Sequence, residues 1–90
     1  MTDRHRGVFA ISVAADMAEM NIQNLRVYER RGLLSPARAP GGGRRYSPAD
    51  VDRLRRIGEL LAKGLNLVGI AHVLELEDRV ATLEQQLREK

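Results

Sequence analysis

Ninety residues allow one domain, and a chain of this size buries only about two thirds of the surface it exposes when unfolded, so a partner subunit would add to a modest stability. No cysteine is present, which excludes disulfides, thiolate metal sites and a nucleophilic thiol, and suits a reducing cytoplasm. The net charge of +3 is unevenly placed: residues 1–63 carry 12 basic and 7 acidic side chains, residues 64–90 carry 3 and 5, and 13 of the 15 basic residues are arginine, whose planar fork suits phosphates and guanine edges.

The opening MTDRHRG followed by VFAISVAA has the outline of a secretory signal, but the apolar run is short, Ser12 interrupts it, and cleavage after Ala15 would cut into the first helix. No segment approaches the roughly 20 apolar residues that span a bilayer. Residues 8–11 are β-prone. Ser12 then reads as an N-cap, and Val13, Ala14, Met17, Ala18 and Met20 recur at helical spacing, which predicts a first helix over 13–20. Asn21 offers a second cap. Ile22, Leu25 and Tyr28 share one face of the helix that follows, and Gly32 stops it as a residue in the left-handed region would. Two short helices thus meet at a tight turn.

From Leu33 to Tyr46 the chain reads LLSPARAPGGGRRY. Pro36 and Pro40 exclude helix, the glycines permit positive φ, and the flanks can pair as a two-stranded ribbon with a glycine tip. Ser47-Pro48-Ala49-Asp50 restarts a helix by two devices, a serine cap with an acidic residue three places on and proline at the first helical position. Val51, Leu54, Ile57, Leu60 and Leu61 form the apolar stripe of this third helix, which Gly64 ends. Asn66 caps a fourth, with Leu67, Ile70 and Leu74 on its inward face. Val73, Leu76, Val80, Leu83 and Leu87 are then spaced three, four, three and four, the seam of a short coiled coil, the alternative being a terminal helix that folds back on its own domain.

This order predicts a mainly α fold: a winged helix-turn-helix over 1–74 with a β-ribbon wing, and a C-terminal dimerisation helix over 75–90. On DNA the second helix would enter the major groove, while the ribbon fixes register on phosphates. Gln23 and Asn24 stand at the reading end, where amides bond adenine edges. Arg26, Tyr28 and Arg30 follow, with Arg26 and Arg30 on one face. On the ribbon Arg38, Arg44, Arg45 and Tyr46 complete the candidate DNA-binding set. Alternation sends Arg44 and Tyr46 to one side and Arg45 to the other, and the glycine tip lets backbone amides approach a phosphate. The competing readings are a plain flexible loop and a nucleotide-phosphate loop, the second weak because no GxxxxGK[ST] follows.

NLRVYERRGLLSPAR followed by GGRRYS resembles the MerR family of bacterial transcription regulators, whose signature runs roughly I-R-Y-Y-E-x-x-G-L-(L/I)-x-P-x-R, then G-Y-R-x-Y. Arg26, Tyr28, Glu29, Gly32, Leu33, Pro36, Arg38, Arg44 and Tyr46 fall in register. The resemblance implies a homodimer joined by an antiparallel coiled coil, with Arg26 and Tyr28 on the reading helix and Arg38 and Arg44 on the wing touching DNA. Gly43, Val27 and Glu19 depart from the pattern, the last standing where the turn glycine is usual. The glycine triplet with RRYS is similar to the heat-shock repressor branch, which implies a chaperone as co-repressor.

An enzyme is not expected. His72 and Glu75 have metal-pair spacing without further ligands, so no metal or other cofactor is expected, and Glu75 with Arg79 reads as an ordinary i,i+4 pair. The function expected is a cytoplasmic, nucleoid-associated homodimeric repressor that reads an inverted repeat in double-stranded DNA, controlled through a chaperone or other protein partner and without contact to a membrane. The alternatives are a coiled-coil interaction adaptor and an excisionase-like architectural DNA-binding protein.

Overall fold

Helix ends in this chain are set by local bonds, and the computed structural model, which describes residues 3–89, displays them in detail. Met1, Thr2 and Lys90, which the expected domain ranges include, lie outside the described residues. Four helices and a two-stranded ribbon follow in order: α1 Ile11–Ala18, α2 Ile22–Arg30, β1 Ala37–Arg38, β2 Arg44–Arg45, α3 Pro48–Ala62 and α4 Leu67–Arg88. The chain divides into two compact units, Met1–Gly58 and Glu59–Lys90.

In the first unit, α1 begins two residues earlier than the sequence predicts. Ala10 precedes it in an extended conformation with no side-chain cap, and Ala14 N–H reaches Ala10 O at 3.0 Å, so Ser12 lies exposed inside the first turn and does not cap. The helix also stops earlier, at Ala18, because Glu19 adopts φ 57°, ψ 44°. Met20 N–H then bonds Ala15 O at 2.9 Å and Glu19 N–H bonds Asp16 O at 3.1 Å, the paired bonds of a Schellman ending. A glutamate in the left-handed region is strained relative to glycine. Glu19→Gly should therefore stabilise the chain by about 0.5–1 kcal/mol, after allowing for the extra freedom of an unfolded glycine, as a higher midpoint in urea unfolding.

The next helix ends as its sequence predicts. Asn21 Oδ1 accepts from Asn24 N–H at 2.9 Å, Gly32 has φ 76°, and Leu33 N–H closes on Tyr28 O at 3.0 Å. Ala14, Ala15 and Ala18 on α1, Leu25 and Tyr28 on α2, then Leu33, Leu34, Tyr46, Val51, Leu54 and Ile57 form the buried core of this unit. The three alanines are small enough to let α1 and α2 approach closely. Two arginines of α3 reinforce this core from outside. Arg55 Nη2 donates to Met17 O at 3.1 Å, satisfying an end carbonyl of α1, and Arg53 donates to Leu33 O just beyond α2.

The reciprocal serine cap of α3 is present: Asp50 N–H donates to Ser47 Oγ at 3.0 Å, and Ser47 N–H to Asp50 Oδ2 at 2.9 Å. Ser47 is itself buried, so the cap also settles a polar group that would otherwise lack partners. In the second unit, Leu65 N–H bonds Leu60 O around Gly64, at φ 93°, and Asn66 Oδ1 caps α4 through Gly69 N–H at 2.8 Å. Leu60, Ile70 and Leu74 are its buried residues. A single uninterrupted helix runs from Leu67 through the heptad positions. Among the described residues no helix is long and apolar enough to cross a membrane.

Candidate nucleic-acid interface

The ribbon is short and tightly specified. Ala37 pairs with Arg45 and Arg38 with Arg44, antiparallel. Gly42 N–H bonds Ala39 O at 3.0 Å across Pro40 and Gly41, and Gly41 has φ 96°, which makes this a type II turn with proline and glycine in their preferred places. Gly42 follows with φ 99°. Two of the three glycines are therefore required by backbone conformation. A Cβ on either would meet open space, so the constraint is torsional and not steric.

The N-terminal segment supports this ribbon. Phe9 bridges Tyr46 through Phe9 N–H to Tyr46 O at 2.9 Å and Tyr46 N–H to Phe9 O at 2.7 Å. Gly7 lies so close that a Cβ there would stand 2.6 Å from Arg45 O and 3.1 Å from Ala37 Cβ. Arg4 is tied to α3 through an ion pair with Asp52. The wing is thus backed on the face of Ala37 and Arg45.

On its other face the ribbon turns toward α2. Arg44 Nε donates to Glu29 Oε1, and Arg38 Nη2 stands 3.9 Å from Glu29 Oε2 while Arg38 Nη1 donates to Gly42 O at 3.4 Å. One carboxylate of α2 therefore faces both arginines that the strand register places side by side. Arg45 leaves this cluster, and its guanidinium donates to Arg44 O. Gln23, Arg26 and Arg30 are exposed on α2, Asn24 is half-exposed, and Arg26 and Arg30 make no ion pair among the described residues.

Tyr28 and Tyr46, included from the sequence in the candidate DNA-binding set, are instead packed in the core, 5 % and 0 % exposed. With only three aromatic residues in the chain, their large apolar rings are core material. Burial pushes both hydroxyls above the ordinary tyrosine range; for Tyr46 the Glu29 and Asp50 carboxylates push the same way, and Arg44 and Arg26 oppose them. The Tyr46 hydroxyl is buried without a hydrogen-bond partner among the described residues. Because its folded pKa is raised, the unfolded chain ionises first, so stability is intact below about pH 10 and is lost as pH rises through the folded value. Tyr46→Phe removes an unsatisfied buried group and should stabilise the chain by about 1 kcal/mol at neutral pH, with a smaller loss above pH 10 in urea titrations.

Glu29 was legible as part of a motif but not as the hub of the wing, since its partners lie 9 and 15 residues away and only the ribbon register brings them together. Gly7 was not singled out at all, and a glycine ahead of a β-prone run was its only signal. Among the described residues no group of three or more histidine and acidic side chains could hold a metal, and the Glu75–Arg79 pair forms at 3.2 Å.

The helix-turn-helix with its wing is matched over residues 9–77 by the model of the MerR HTH family of regulatory proteins. The chain belongs to the MerR family. Among its relatives in the family, heat shock protein HspR of Streptomyces coelicolor is 46 % identical over 83 residues, which is 91 % of this chain and 55 % of that protein. The HTH-type transcriptional regulator GlnR of Bacillus anthracis is 37 % identical over 75 residues, 83 % of this chain and 58 % of the regulator. The chain thus spans little more than half the length of these relatives. A crystal structure of HiNmlR, a MerR family regulator lacking the sensor domain and bound to promoter DNA, superposes with a TM-score of 0.71 at 26 % identity, covering 89 % of this chain and 67 % of that one. The winged fold and long C-terminal helix read from the sequence are those of this MerR-type neighbour.

Proposed function

We propose that the chain is a sequence-specific DNA-binding transcription regulator, acting as a homodimeric repressor on an inverted repeat. The observation that carries this reading is the placement of exposed Arg26 and Arg30 on α2 beside a wing whose Arg38 and Arg44 flank the same helix. Gln23 and Asn24 would read base edges from the first turn of α2; Arg26 and Arg30 would reach bases or flanking phosphates; Arg38, Arg44 and Arg45 would hold the backbone. Tyr28 and Tyr46 serve this interface by fixing α2 and the wing from beneath.

The module over 1–74 would carry recognition and the helix over 75–90 would carry pairing. Val73 is half-buried, whereas Leu76, Val80, Leu83 and Leu87 are 52–70 % exposed along one stripe of α4, a face that a second copy of the same helix would cover. Two reading helices related by two-fold symmetry address half-sites about one helical turn apart. The 46 % identity with heat shock protein HspR supports a stress-response regulon; a chaperone or other protein as co-regulator, and action in the cytoplasm at the nucleoid, belong to the same proposal. Selection from a random-sequence duplex pool tests the reading: an inverted repeat with that half-site spacing is expected. Recovery of no preferred sequence would leave the architectural alternative, and absence of any duplex binding would leave the adaptor.

A further inference from the structure

Two strands of two residues each make a ribbon too short to hold its own angle, because an isolated two-stranded hairpin is only marginally stable in water. The wing must be held from outside. On the face turned to α2 that support is Glu29. On the other face it is residues 4–9, and the chain there is fastened at both ends. At one end Arg4 O accepts from Ala49 N–H at 3.0 Å, satisfying a first-turn donor of α3, and the Arg4 guanidinium pairs with Asp52 on the same helix. At the other end Val8 N–H and Phe9 N–H both donate to Tyr46 O, at 3.0 and 2.9 Å, and Tyr46 N–H donates to Phe9 O. Tyr46 is fully buried and directly follows Arg45, so this clamp lies one residue from a wing cation. Between the two ends the chain crosses the Ala37–Arg45 pair at Gly7, where a Cβ would stand 2.6 Å from Arg45 O. That neighbour is backbone, so no change of rotamer relieves the clash, and the segment or the strand must move.

Resting on the DNA-binding reading above, we propose that residues 4–9 are a strap that positions the wing on DNA, with Gly7 as the positioning residue. Its missing side chain lets the strap lie against the ribbon and hold Arg44 and Arg45 in place relative to α2. The strap acts through those arginines: Gly7 brings no side chain, and the Arg4 charge is spent on Asp52. A phosphate then meets cations that are already ordered, so binding carries none of the ordering cost of a loose ribbon. The effect is the same for every duplex, because phosphate contacts hold no sequence information.

Gly7→Ala adds one methyl group and no charge. Wild type and variant would be titrated against the best duplex from the pool selection and against a scrambled duplex, at several salt concentrations. Affinity should fall about tenfold on both, with a salt slope flatter by about 1, since a neutral substitution alters the slope only when a phosphate contact is lost elsewhere. A merely structural defect lowers the active fraction and leaves the slope alone. In an Arg44→Ala/Arg45→Ala background, Gly7→Ala should cost less than about threefold, because the contacts through which it acts are already gone. Wild-type affinity and slope in Gly7→Ala, or the same loss in both backgrounds, overturns the inference and leaves DNA binding standing. Should Gly7→Ala not melt cooperatively, amide hydrogen exchange of the wild type decides. The N–H groups of Val8, Phe9, Tyr46 and Ala49 should exchange at a common rate that slows together on the selected duplex. Exchange of Val8 and Ala49 independent of Tyr46, or unchanged by the duplex, overturns the inference. A wild type that binds neither duplex overturns the DNA-binding reading as well.

Discussion

Leu83→Glu is expected to leave the chain folded and monomeric. Leu83 is 58 % exposed near the middle of the α4 stripe, so its replacement removes nothing from either core, and glutamate sustains a helix almost as well as leucine. In a two-fold pair the change enters twice. Each copy forfeits about 1.5–3 kcal/mol of apolar burial, and each adds a carboxylate that the interface would have to desolvate, so the dimer should weaken by at least about two orders of magnitude. Sedimentation equilibrium at micromolar concentration reads this directly. Duplex binding should fall with it, because the second half-site is engaged at an effective concentration in about the millimolar range only while the protomers are joined. A variant that remained dimeric would place the pairing surface elsewhere. A wild type that is itself monomeric would remove the proposed role of the stripe altogether.

The elements that could be read from the sequence are those whose signals are local. Ser47 with Asp50, Asn21 with Asn24 and Asn66 with Gly69 bond within four residues, and Gly32 and Gly64 mark helix ends because only a residue free of a Cβ takes positive φ cheaply. The first helix was misplaced at both ends for the complementary reason. Ala10 offers no capping side chain, and the left-handed residue that ends the helix is a glutamate, so tertiary packing of Ala14, Ala15 and Ala18 decides where the helix lies. At the interface, periodicity placed Arg26 and Arg30 correctly on a shared exposed face. It could not sort Tyr28 and Tyr46 from the arginines beside them, since a tyrosine suits a groove or a core equally and the choice depends on what else can fill the interior. Nor could it find the Glu29 hub, which exists only once the Arg38–Arg44 register is set.

Arg44→Ala should weaken binding to every duplex, by about 10- to 100-fold at moderate salt for a lost charge-assisted contact of about 1.5–3 kcal/mol, and should flatten the salt dependence by about 1 in slope. Two effects combine. The phosphate loses its guanidinium, and Glu29 loses the partner that neutralises it, which leaves a half-buried carboxylate facing the DNA backbone with only Arg38 nearby. The second effect separates this arginine from an ordinary surface cation. Adding Glu29→Gln to Arg44→Ala should restore part of the lost affinity, whereas a phosphate contact acting alone would show no such recovery. Asn24→Ala provides the contrast within the same titration: its amide would bond a base edge, so its loss should cost about 1–3 kcal/mol on the selected duplex and little on a scrambled one, with the salt slope unchanged. If Arg44→Ala left both affinity and slope at wild-type values, the ribbon would not be a phosphate clamp, and α2 would have to hold its register on DNA through Arg26 and Arg30 alone.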